Sequence, residues 1–143
     1  MKVLIFDFFG VLVVRQREFS NMLEIFENRW ILNEKLLNFI REERQNGSKI
    51  AVLSNVAQYS FDQFFSEEEQ AKLFDEVVLS GNEGVSKPDA RIFEIVCERL
   101  GEKPENCVFV DDLLENALAA KNLGMCGIVY VDFEEFKKEM EKF

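Results

Sequence analysis

Five short apolar runs, separated by longer stretches of helical period, constrain this 143-residue chain more than any other feature. The runs fall at residues 3–6, 50–53, 77–79, 108–110 and 128–131; each is brief, rich in β-branched residues and followed by polar or small ones, as buried strands are. Between them Leu36, Leu37 and Ile40 share a helical face that Asn46-Gly47 should end, because glycine supplies the left-handed C-terminal conformation. Ile92, Ile95, Val96 and Leu100 repeat the pattern up to Gly101, and Leu114, Ala117, Leu118, Lys121 and Leu123 repeat it up to Gly124. A last helix starts near Asp132 and aligns Phe133, Phe136 and Met140. Strands alternating with such helices form βαβ units, whose right-handed crossovers bring the strands parallel with helices on both faces. The expected fold is α/β, a doubly wound parallel five-stranded sheet, in a single domain over residues 1–143.

Only residues 15 to about 32 fall outside this rhythm. Phe19, Met22, Leu23, Ile25, Phe26 and Trp30 follow mostly helical spacing there, which predicts one amphipathic helix packed on the core or on a partner chain, or else covering an active site. A homodimer through this insert is the partner expectation.

Charge and residue usage narrow the chemistry. Seventeen Lys and Arg against 27 Asp and Glu leave a net charge of −10, so nucleic acid and anionic membranes are repelled at long range, and any phosphate must be held by a few local donors. There is no histidine, which removes Ser-His-Asp and Cys-His catalysis and histidine-based metal sites. Cys97, Cys107 and Cys126 form no C-x-x-C pair and read as reduced thiols in the core. Asp7 interrupts the leader-like start MKVLIFDFFGVLVV and no apolar stretch is long enough to span a bilayer, so a cytoplasmic protein is expected.

Four places could carry chemistry. Asp7 directly follows the first run, at the strand end where ligands of parallel sheets collect. Ser54-Asn55 closes the second run ahead of a short helix around residues 58–65; hydroxyl, amide and free N–H groups suit an anion there, and they equally suit helix capping. Lys87-Pro88-Asp89 opens the helix containing Ile92, and a cation at that positive end is misplaced unless an anion is near. Asp111-Asp112 adjoin after the fourth run, where two carboxylates repel unless a proton or cation intervenes; Mg²⁺ suits such a pair, although Asp112 with Glu115 could also form a capping box.

Taken together and in this order, the four segments resemble the haloacid dehalogenase-like hydrolase superfamily. Asp7 with Gly10-Val11-Leu12 looks like its first motif, Ser54-Asn55 its second, Lys87-Pro88-Asp89 with Ile92-Phe93 its third, and Asp111-Asp112 with Asn116 its fourth. The likeness spans about residues 1–14 and 33–131. It implies a three-layer Rossmann-like sandwich with a minimal helical cap insert and an open site. Asp7 would be the nucleophile that forms an aspartyl-phosphate, Ser54 and Asn55 would hold the phosphate, and Lys87 would neutralise it. Mg²⁺ would be bound by Asp7, the Phe9 backbone carbonyl, and Asp111 or Asp112.

One departure bears on rate. Phosphatases of the superfamily place a second Asp two residues after the nucleophile, as acid/base, where this chain has Phe9. Losing a positioned acid/base costs about 10² to 10⁴ in rate, roughly 3 to 5 kcal/mol of barrier. Leu113 also stands where relatives often carry a small polar residue. The sequence therefore points to a slow Mg²⁺-dependent phosphohydrolase acting on a phosphorylated substrate. The alternative is a non-catalytic or regulatory protein that binds phosphate and metal. Dehalogenation ranks lower: the dehalogenases carry an aromatic at the Phe9 position, yet they keep Ser and Asn near where this chain has paired acids.

Overall fold

Strand β1 (Val3–Phe6) is buried along its whole length and lies at the centre of the sheet. On one side of it follow β4 (Lys49–Ser54) and β5 (Glu76–Leu79), and on the other β6 (Cys107–Asp111) and β7 (Cys126–Val129), all parallel. The computed structural model describes residues 2–16, 20–23 and 29–143. Phe6 pairs with Val52 of β4 and with Val110 of β6, so the carboxyl ends of the three inner strands are level. The chain lays down β4 and β5 to one side of β1 and then crosses to β6, which puts the reversal of strand order between β1 and β6. The doubly wound, three-layer α/β sandwich expected from the runs is the fold observed.

Side-chain alternation in the strands makes two cores. Leu4 and Phe6 point with Val52 and Val110 toward helices α1 (Glu34–Gln45), α2 (Gln58–Asp62), α3 (Glu67–Leu73) and α7 (Phe133–Met140). Val3, Ile5, Leu53 and Phe109 point the other way, toward α5 (Ala90–Leu100) and α6 (Leu114–Asn122); α4 (Ser80–Glu83) is a single turn after β5. The first core is built on phenylalanine: Phe6, Phe8, Phe61, Phe65, Phe74 and Phe136 are buried, and Phe9, Phe39, Phe64 and Phe133 pack on it. The second holds only Phe93 and Phe109. Cys97 and Cys107 are buried free thiols and Cys126 is half-buried, as core packing requires.

Three local expectations change. The fifth strand runs over Cys126–Val129, two residues earlier than its apolar run, and Gly127 within it lies close against α6, where a Cβ would meet the Ala117 carbonyl. On α6 the buried side chains are Asn116, Ala117 and Ala120, whereas Leu114 and Leu118 are exposed; the small residues, not the leucines, face the sheet. The two ends of the insert are strands: β2 (Val13–Arg15) pairs antiparallel with β3 (Trp30–Leu32), matching Arg15 with Trp30. Trp30 thus belongs to an extended segment with β-branched neighbours and not to a helical stripe. Met22 and Leu23 are helical and exposed, while Phe19, Ile25 and Phe26 lie outside the described residues.

Asn33 fastens this hairpin to the loop after β1. Its side chain caps α1 at Leu36 and donates to the Val11 carbonyl (2.9 Å) and the Tyr130 hydroxyl (2.7 Å).

Candidate active site

The backbone N–H of Asp7 donates to the Val110 carbonyl at 2.9 Å, prolonging the ladder between β1 and β6 by one residue. Its carboxylate therefore emerges where the strand order reverses, the position at which open α/β sheets bind ligands. Lys87, from the loop before α5, reaches the same point from the far side of β4. Its ammonium donates to Asp7 Oδ1 (2.8 Å), Asp111 Oδ2 (2.7 Å) and the Leu53 carbonyl (2.9 Å), which uses all three of its protons. The misfit of a cation at a helix start is thereby resolved, since the charge is turned inward onto two carboxylates. Lys87 is 5% exposed, Asp7 7% and Asp111 0%, so these ions are desolvated and hold one another in place.

Asp111 is held by three hydrogen bonds. Besides Lys87, its carboxylate accepts from the Leu113 backbone N–H (2.9 Å) and from Asn116 Nδ2 (3.1 Å). Asp112 is the exposed member of the pair and lines the cleft. It does not cap α6: the N-cap position is Leu113, without a side-chain cap bond, so the capping box with Glu115 is not formed. Gly10 (φ +92°) makes room for Asp112, because a Cβ at that position would run into its carboxylate.

Three carboxylates around one ammonium leave an excess of negative charge. Burial raises the Asp7 carboxyl above its ordinary range, opposed by Lys87 and assisted by Asp111. Asp112 is pushed up to about 7, first by burial and then by the charges of Asp7 and Asp111. A site that strains to hold a proton is one that a cation would relieve. One oxygen each from Asp7, Asp111 and Asp112 lies within 4.8 Å of the others, and Asn116 Oδ1 beside them is buried with no hydrogen-bond partner. This oxygen-only set fits a hard divalent ion such as Mg²⁺.

The cleft above these groups has a volume of about 250 Å³. It is lined by polar residues, Asp7, Ser54, Asn55, Lys87, Asp112 and Asn116, and by apolar ones, Phe9, Trp30, Val56 and Leu113. Ser54 is buried at the end of β4. Asn55 has a task its position in the sequence did not reveal. Its Oδ1 accepts from the Lys87 N–H (2.8 Å) and its Nδ2 donates to the Lys87 carbonyl (3.0 Å), so its amide is spent on the lysine loop and not offered to a ligand. Phe9 packs on Phe8 (4.5 Å between centroids), Trp30 (4.8 Å) and Phe64 (6.0 Å). Trp30 itself carries the Arg15 guanidinium over its other contacts, 4.4 Å from the ring centroid. Val56 and Leu113 as lining residues were not foreseen; Trp30 lines the cleft as the site-covering reading of the insert allowed, but on a strand and not on a helix.

A family model for haloacid dehalogenase-like hydrolases matches residues 19–124. The chain is 31% identical over 98 residues to the sesquiterpene phosphatase astK of Aspergillus oryzae, a match covering 68% of this chain and 50% of that protein. It covers smaller shares, 21% and 9%, of two further curated relatives, so it spans half or less of the length of these proteins. Among solved structures, an uncharacterized protein from Corynebacterium glutamicum superposes with a TM-score of 0.77 at 26% identity, covering 99% of this chain and 93% of that one. A HAD family enzyme from Bacteroides thetaiotaomicron, solved in complex with magnesium and inorganic phosphate, shares the fold with a TM-score of 0.75 at 19% identity, covering 95% and 98%.

Proposed function

The chain belongs to the haloacid dehalogenase-like hydrolase family, and from that premise we propose that it is a Mg²⁺-dependent phosphohydrolase working through an aspartyl-phosphate on Asp7. The observation that carries this reading is the convergence of Asp7 and Asp111 on one buried ammonium, at 2.8 and 2.7 Å, with Asp112 in reach of the same point. Lys87 keeps the Asp7 carboxylate oriented and offsets the charge of an incoming phosphoryl group. An oxygen of Asp7 attacks phosphorus, and the Ser54 hydroxyl donates to a phosphoryl oxygen. Asp7, Asp112, the Phe9 backbone carbonyl and, from beneath, Asp111 are the groups that would hold Mg²⁺. When bound, that ion neutralises the phosphoryl oxygens and draws charge from them as the bond to phosphorus forms.

Turnover is slow in this reading, because Phe9 offers no proton to the leaving group and takes none from water. The packing of its ring against Phe8, Trp30 and Phe64 also favours a second reading, a protein that binds phosphate and metal without turnover. A panel of phosphate esters with and without Mg²⁺, on the parent and on Asp7→Asn, decides between them. Release that needs both Mg²⁺ and Asp7 supports the hydrolase. Calorimetric binding of Mg²⁺ and a phosphate mimic with no product after prolonged incubation supports the second reading.

Among the described residues no helix is long and apolar enough to cross a membrane.

A further inference from the structure

The lining of the cleft combines two kinds of residue, and the combination names a substrate class. Asp7, Ser54 and Lys87 suit the phosphoryl group. The apolar lining residues are Phe9, Trp30, Val56 and Leu113, and none of these side chains is an acid that can transfer a proton to a leaving oxygen. No histidine exists anywhere in the chain to do so, and all three protons of the Lys87 ammonium are directed at Asp7, Asp111 and Leu53. With Asp112 deprotonated to hold Mg²⁺ in this reading, no side chain among the described residues of the cleft is placed to protonate a leaving oxygen, which then departs as an anion. The apolar lining is also preformed: Phe9 and Trp30 are in ring contact at 4.8 Å, and Leu113 at the rim is 49% exposed with nothing laid over it among the described residues.

We propose that the substrates of this site are activated phosphoryl compounds carried on an apolar body, acyl or aryl phosphates whose leaving group needs no proton and whose carbon skeleton lies against Phe9, Trp30 and Leu113. This rests on the phosphohydrolase reading of Asp7. In the first step the Asp7 oxygen forms a bond to phosphorus while the bond from phosphorus to the leaving oxygen breaks, and the electron pair goes with that oxygen as carboxylate or phenolate. In the second, water attacks the same phosphorus and the bond to Asp7 breaks. The carboxylate returns, phosphate takes the hydroxyl, and the remaining proton goes to phosphate or solvent. Neither step requires a redox partner. Without a base for the water, the second step is the slower, so product appears as one rapid equivalent followed by slow turnover.

The test uses a series of aryl phosphates of graded leaving-group acidity, with a matched pair of acyl phosphates, acetyl and benzoyl, on the parent, Phe9→Asp and Asp7→Asn. Expected is a steep fall in kcat/KM as the leaving group becomes less acidic, a preference for benzoyl over acetyl phosphate, and one initial equivalent of phenol per chain. In Phe9→Asp the poorest leaving groups should gain about 10² or more in kcat/KM relative to the best, which flattens the series. The parent series alone keeps the proposal open to refutation if Phe9→Asp fails to fold. A flat series with Asp7-dependent release, or acetyl phosphate used as well as benzoyl, overturns the substrate class and leaves the phosphohydrolase intact. Absence of any Asp7-dependent release overturns both.

Discussion

The floor and the wall of the cleft are built from opposite materials. The floor is a cluster of titratable groups in which Asp7, Lys87 and Asp111 are held by hydrogen bonds of 2.7 to 2.9 Å, with Asp112 beside them. The wall is a cluster of rings, Phe9 on Phe8, Trp30 and Phe64, held by shape and volume with centroids 4.5 to 6.0 Å apart. Directional contacts fail when one partner is removed, because a buried charge is left unpaired. Ring contacts yield gradually, since dispersion is spread over many atoms. In the proposed reading the chemistry lies in the floor and the choice of substrate in the wall.

The largest expected effect separates the two most sharply. Asp7→Asn keeps an acceptor for Lys87 but removes the nucleophile, so turnover should fall by about 10⁴ or more in a steady-state assay while thermal unfolding changes little. Survival of turnover would mean that the floor is not where the reaction occurs. Next, Lys87→Met leaves two buried carboxylates facing each other and should destabilise the fold by about 3–5 kcal/mol in denaturant titrations near neutral pH. A loss no greater than that of an exposed lysine would reduce the floor to the status of an ordinary surface cluster. Trp30→Ala acts on the wall: KM for a benzoyl phosphate should rise about tenfold, with KM for acetyl phosphate nearly unchanged. An equal rise for both substrates would erase the distinction.

The smallest effect comes from pH. Asp112, pushed up to about 7, holds a proton below that value and must lose it to bind a cation, so Mg²⁺ affinity by calorimetry should tighten about tenfold between pH 6 and 8. Linkage gives the companion sign. The folded protein keeps this proton while the unfolded chain has released it, so the metal-free protein loses stability as pH rises from the ordinary carboxylate range to about 7, and added Mg²⁺ restores it. An affinity independent of pH would place Asp112 outside the metal site.

The floor was far more legible in the sequence than the wall. Asp7, Ser54, Lys87 and Asp111-Asp112 each follow or face the end of a strand that periodicity reveals, and parallel topology leaves such ends nowhere to go but one edge of the sheet. The helix stops at Gly47 and Gly101 were legible for a similar reason, since both adopt the positive φ that ends a helix (89° and 68°). The wall depends on tertiary pairing. Trp30 reaches the cleft because β3 folds back on β2, a hairpin of three residues per strand that contributes too few alternations to stand out from a helical stripe. Asn55 shows a subtler limit: its place in the motif was readable, but the partner of its amide lies 32 residues on.

That amide ties the turn after β4 to the turn before α5 by two hydrogen bonds to the backbone N–H and carbonyl of a single residue, making one clamp of two loops. Freezing the lysine arm in advance means an arriving anion meets a cradle already assembled, and the entropy of assembling it is met when the chain folds and not at each encounter. Amide hydrogen exchange at Lys87 should accordingly slow to the pace of the neighbouring strand, far below that of an ordinary surface loop.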